Sequence, residues 1–182
     1  EKHHRLFDYI RQQRQKLGGF LPERRASKVS MTVPELQQFK PLLEGTGERA
    51  ISTTMAFVRL LSTMLKDKNI GKYIVPIVPD ESRTFGMEGL FKQIGIYSSQ
   101  GQKYQPVDAD LLASYFESQS GQLLQEGINE AGAMASWLAA ATSYANCQTP
   151  MIPFYIYYSM FGFQRIGDLC WAAGDMRARG FL

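Results

Sequence analysis

The sequence predicts an α/β fold: a parallel sheet flanked by helices, preceded by an N-terminal helix and an extended linker. Three observations carry this. The runs Ile70–Val78 and Met151–Phe161 are rich in β-branched and aromatic residues and apolar on both faces, as in strands covered from both sides. Helical patterns separate the strand-like runs, and strands that alternate with helices pair in parallel. The third is LLQEGINEAGAMASWLAAATSY, residues 123–144, where a short apolar run passes through Glu126-Gly127-Ile128-Asn129-Glu130 into an Ala-rich helix. Glu130 therefore stands where a strand becomes a helix, at the positive end of the helix dipole.

A chain of 182 residues with 45% hydrophobic and 20% charged residues has the material for one domain, or one domain and an appendage. No apolar run reaches membrane-spanning length, and the first residues, EKHHRLFDYIRQQRQ, have no signal-peptide core. A cytoplasmic protein with no membrane partner is the expectation. Cys147 and Cys170 lack the spacing of a disulfide framework or zinc site, and are expected to be buried as small hydrophobes. The net charge of +3 is unevenly spread: residues 1–40 hold nine Lys/Arg against four Asp/Glu. Those basic residues are scattered among Gln and apolar positions with no recognition motif, so a solvated helix and linker are expected rather than a nucleic-acid site.

Taken in order, His4–Leu17 reads as a helix with Leu6, Tyr9, Ile10 and Leu17 on one face, stopped by Gly18-Gly19. Prolines at 22, 34 and 41 then break the pattern as far as Gly47, so residues 1–47 are expected to be helix and connector, and 48–182 the α/β domain. Gly45-Thr46-Gly47-Glu48-Arg49-Ala50 fits a dinucleotide fingerprint in letters only, because no strand precedes it. Ser52 or Thr53 caps a helix carrying Met55, Val58, Leu61 and Leu65. Pro76 marks the first strand as an edge or a bulge. That strand ends at Asp80-Glu81, two carboxylates at its carboxyl end. A short helix is expected over Phe85–Gln93, turns over Gly95–Pro106, and a helix over Asp108–Ser118. In the central helix, Ala131, Gly132, Ala135 and Ala139 are expected to allow close packing. A helix over Ile166–Arg179 follows the last strand, and a further strand is expected to start at Phe181, as in a domain cut at its C-terminal end.

In a parallel sheet, Asp80/Glu81, Glu130 and Tyr158/Phe161 follow different strands and so come to one rim, where open α/β sheets gather ligands. Carboxylates, a phenol and an aromatic face suit a planar, nitrogen-containing ligand held by stacking and charged hydrogen bonds.

Three stretches then become specific: IVPDESRTFGMEGLFKQIGIYS, QEGINEAGAMASWLAAATSYA and MIPFYIYYSMFGFQRIGDLCWAAGDMRARGFL. From about Ser52 onward the chain closely resembles the bacterial homodimeric pyruvate dehydrogenases, the thiamine-diphosphate-dependent first component of the pyruvate dehydrogenase complex, in their middle, transketolase-like pyrimidine-binding domain. The resemblance implies that Glu130 hydrogen-bonds N1′ of the cofactor's aminopyrimidine, sharing a proton with it. It implies that Phe161 stacks on that ring, that Tyr158 lines the pocket near the reacting centre, and that Asp80 and Glu81 lie near the aminopyrimidine and substrate. Implied partners are pyruvate, a second copy of the full-length subunit, and the lipoyl-bearing acyltransferase.

The chain departs from the family's pattern in two respects. The family's diphosphate and Mg²⁺ site has a Gly-Asp-Gly motif, whereas Gly167-Asp168 and Gly174-Asp175 lack the third glycine. The Mg²⁺ ligands are therefore expected outside this chain. The only histidines are His3 and His4, in the N-terminal helix, so the substrate-handling histidines are absent. The expectation is one half of a thiamine diphosphate site, inactive alone. The alternative is a non-catalytic assembly module with the same fold.

Overall fold

The computed structural model describes residues 2–19, 25–79, 82–107 and 115–182. Helix α1 (Lys2–Lys16) ends at Gly18-Gly19 as the sequence predicts, but Leu6, Tyr9, Ile10 and Leu17 are all exposed. The connector lies over the domain. Arg25 N–H donates to the Ala145 carbonyl, the Ser27 hydroxyl donates to the Gln148 carbonyl, and Phe39 is buried. A single 3-10 turn leads into α2 (Lys40–Leu43). Residues 45–50 are turn and extended chain, preceded by α2 and by no strand among the described residues.

Helix α3 (Thr53–Leu65) is capped by Ser52, whose hydroxyl accepts from Met55 N–H at 3.1 Å. Strand β1 (Ile74–Val78) follows, then α4 (Glu88–Ile94). Strands β2 (Ile96–Tyr97), β3 (Glu117–Ser118) and β4 (Leu124–Gln125) have two residues each. Helix α5 (Glu130–Asn146), strand β5 (Ile152–Tyr155) and helix α6 (Ser159–Asp175) complete the set.

The main sheet has the order β4-β1-β5, all parallel, and β2 pairs with β3 in parallel beside it. Alternate residues of the central strands face opposite ways. Ile74, Val78 and Phe154 join Val58, Leu61 and Phe91 in one core; Ile77 and Tyr155 join Met134, Trp137 and Ile166 in the other. The result is three layers, with α3 and α4 on one face and α5 and α6 on the other. The predicted parallel α/β class is what forms.

Several element-level expectations are corrected. Pro76 is buried in the central strand, not at an edge. Its missing N–H is tolerated because of the register. The Ile77 carbonyl accepts from Ile156 on the β5 side, so Pro76 and Val78 face β4, and pairing with β4 starts only at Ile77. Within Asp108–Ser118, residues 108–114 lie outside the described residues, and Glu117–Ser118 is a strand rather than helix. Gly95–Pro106 contains β2, which the turn-rich composition hid. Strand β5 stops at Tyr155, so Phe161 belongs to the first turn of α6. Ala131, Ala135 and Ala139 face outward, while Ala133, Met134, Trp137 and Ala141 make the buried stripe of α5. Cys147 is exposed and Cys170 half-buried.

The last residues return over α5 to the sheet. Arg179 N–H donates to the Ala141 carbonyl, Trp137 Nε1 donates to the Phe181 carbonyl, and Phe181 bridges Phe154 in parallel with the two rings stacked 4.7 Å apart. Extended pairing does begin at Phe181.

Candidate functional site

The three strands of the main sheet point the same way, so the segments leaving β1, β4 and β5 emerge at one rim. Just after β1 comes Pro79, from the β4–α5 loop Ile128, from the start of α5 Glu130, and from the entry to α6 and its first two turns Tyr158, Phe161 and Arg165. These six line a pocket of 240 Å³. Asp80 and Glu81, the other predicted acids, lie outside the described residues. A larger cleft of 330 Å³ runs beside Phe57, Ile156, Tyr157 and Phe181, but among the described residues the ionisable side chains that line it are tyrosines alone. Of these two, the smaller pocket is the one that holds a carboxylate and a guanidinium.

Glu130 is the first residue of α5. Asn129 caps that helix, its side-chain oxygen accepting from Gly132 N–H at 3.0 Å. The Glu130 side chain is 14% exposed and ion-paired with the guanidinium of Arg165, which is 55% exposed. The Tyr155 hydroxyl reaches the Glu130 carbonyl at 3.4 Å. Burial first, and the Glu130 charge second, push that phenol up from its ordinary value, so it stays a neutral donor.

Tyr158, just before α6, packs against buried Phe85 with ring centres 5.1 Å apart. Phe161 is 58% exposed, so its ring is available to a ligand. The chain reverses tightly here. A β-carbon at Gly162 would come within 2.1 Å of the Tyr157 ring, so the first turn of α6 approaches β5's end closely only because residue 162 is glycine.

The rim thus unites Glu130, Tyr158 and Phe161. Sequence reasoning missed Arg165, Ile128 and Pro79 as lining residues. Arg165 had a signal: it lies four residues after Phe161, the spacing that puts two side chains on one helical face. Among the described residues no group of three His, Cys, Asp or Glu is placed to hold a metal ion, and no helix is long and apolar enough to cross a membrane.

The three-layer parallel α/β fold is of the transketolase-like class, with an acid, a phenol and an open aromatic ring at the strands' carboxyl ends. Comparison gives the particular family. Residues 31–182 match the pyruvate dehydrogenase E1 component middle domain, and the chain belongs to that family. It is 68% identical over 176 residues to the pyruvate dehydrogenase E1 component of Cupriavidus necator. Against the proteins of that name from Pseudomonas aeruginosa and Escherichia coli K12 it is 63% identical over 174 and 175 residues. Each alignment takes in 96% of this chain, which spans only 20% of the relative's length.

Proposed function

We propose that this chain supplies the aminopyrimidine half of a thiamine diphosphate site in a pyruvate dehydrogenase. The whole protein would decarboxylate pyruvate and pass the acetyl group to the lipoyl group of an acyltransferase partner. The observation that carries this is the meeting of Glu130, Tyr158 and Phe161 in one 240 Å³ pocket. Residues 48–182 are read as the pyrimidine-binding domain and 1–47 as helix and connector. The rest of the site is assigned to the full-length subunit and a second copy of it in the cytoplasm.

The pocket's chemistry suits the heterocycle. Glu130 would hydrogen-bond the ring nitrogen and hold or release a proton there, Phe161 would offer its open face for stacking, and Tyr158 would stand toward the reacting end. Asp80 and Glu81 are assigned to the same rim from the sequence. The donor set does not suit a diphosphate: the only cation among the described lining residues, Arg165, is engaged by Glu130. Diphosphate and Mg²⁺ are therefore assigned to residues beyond this chain. When bound, the cofactor supplies the electron sink for decarboxylation. The chain's own work is to orient the ring, exclude water from Glu130 and manage its proton.

Calorimetric titration of thiamine diphosphate with Mg²⁺ into this chain and into the full-length protein tests the assignment. Binding by the full-length protein alone is expected; tight binding by the 182 residues would contradict a half-site. The alternative, a non-catalytic assembly module, draws on the exposed Met160, Phe163 and Trp171 of α6. It does not account for the acid and aromatic at the rim.

A further inference from the structure

Glu126 does not line the pocket, yet it connects the sheet to the helix that carries Glu130. Its backbone N–H donates to the carbonyl of Val78, the last residue of β1, at 3.0 Å. Its half-buried carboxylate accepts from the Ser136 hydroxyl, on the second turn of α5, at 2.5 Å. One residue thereby joins the sheet, the β4–α5 loop and the helix. Between Glu126 and Glu130 lie only three residues. Gly127 takes a left-handed φ of +73°, its carbonyl accepts from Asn129 N–H at 2.8 Å, and Asn129 caps α5. With the loop so short and turned, the angle at which α5 leaves the sheet sets where the Glu130 carboxylate stands.

We infer that Glu126 and Ser136 form a brace that positions Glu130, making Glu126 a positioning residue for ligand binding at the rim. The inference rests on the proposed reading of the pocket as the aminopyrimidine site. A half-buried carboxylate held by a hydroxyl is a costly way to pack a loop, and a charge-assisted hydrogen bond is a stiff one. Stiffness matters here because misplacing a binding group by about 1 Å can cost up to about a hundredfold.

The test measures thiamine diphosphate affinity, with Mg²⁺, and thermal midpoint in the full-length protein. Glu126→Ala and Ser136→Ala should each weaken binding by about tenfold. The double variant should be no worse than either single one, because both remove the same bond. Glu126→Gln, whose amide oxygen can accept the same hydroxyl, should stay within about threefold of the parent. Gly71→Ala, whose β-carbon would come within 2.5 Å of the Leu65 carbonyl oxygen at the far end of β1 from the rim, serves as a control destabilised away from the pocket. Parent-like affinity in Glu126→Ala, no rescue by Gln, additive losses, or the same affinity loss in Gly71→Ala at equal thermal midpoint would each overturn the brace. Glu130→Gln separates the two levels: if it too binds as the parent does, the reading of the pocket has failed and the brace with it.

Discussion

The guanidinium of Arg165, on the second turn of α6, is ion-paired with the carboxylate of Glu130, the first residue of α5. The two helices follow different strands, so the pair ties together two of the segments that meet at the rim. It also couples the site's one described acid to a cation that sequence reasoning did not anticipate.

More than half of the Arg165 side chain faces solvent, so the pair contributes little to folding. Arg165→Ala should lower stability by under about 1 kcal/mol, after discounting for screening. Denaturant unfolding checks this. A loss of several kcal/mol would make the pair a structural tie rather than a feature of an open pocket.

Phe161 should matter to the ligand and hardly to the fold. Because its ring is exposed, Phe161→Ala should leave the thermal midpoint nearly unchanged while weakening thiamine diphosphate binding by about tenfold in the full-length protein. Phe161→Tyr, which keeps the ring, should bind as the parent does. Equal affinity in the alanine variant would remove the stacking role.

Gly162 makes the opposite prediction. Its missing β-carbon lets the Tyr157 ring sit against the first turn of α6, and Gly162→Ala should cost about 1–3 kcal/mol. Combining it with Tyr157→Ala should recover part of that loss. Strict additivity in denaturant unfolding would contradict the close approach.

Asp67 gives a pH-dependent signature away from the site. Its carboxylate accepts from Ile70 N–H at 3.0 Å and Asn69 N–H at 2.8 Å. Those amides, Ile70 first, hold it below its ordinary value of 3.8. A lowered folded-state value means stability that is present above the unfolded value and lost as pH falls through the folded one. The gap in thermal midpoint between the parent and Asp67→Ala should be full at neutral pH and close as pH drops below about 4. A gap that widens in acid would reverse the sign.

How much of this was legible in the sequence depended on how local the signal was. The Ser52 cap and the strand-to-helix passage at Glu130 are fixed by neighbouring residues and could be read directly. The shared rim followed from one topological rule, that helix-separated strands run parallel. What failed was set by tertiary context. Alanine packs equally well inward or outward, so Ala131, Ala135 and Ala139 gave no direction, whereas bulky Met134 and Trp137 mark the buried stripe. Pro76 reads as an edge residue until the register reveals that no β4 partner stands opposite its nitrogen. The run from Met151 has strand propensity as far as Phe161, but α6 overrides it at Ser159. Two-residue strands such as β2 exist only by their pairing.

The most direct measurement compares the full-length protein with its Glu130→Gln variant, titrating thiamine diphosphate with Mg²⁺ and then assaying pyruvate decarboxylation. The predicted result is unchanged thermal unfolding, weakened cofactor binding and turnover reduced by about a hundredfold or more. Parent-like affinity and turnover in the glutamine variant would contradict the assignment of Glu130 to the heterocycle.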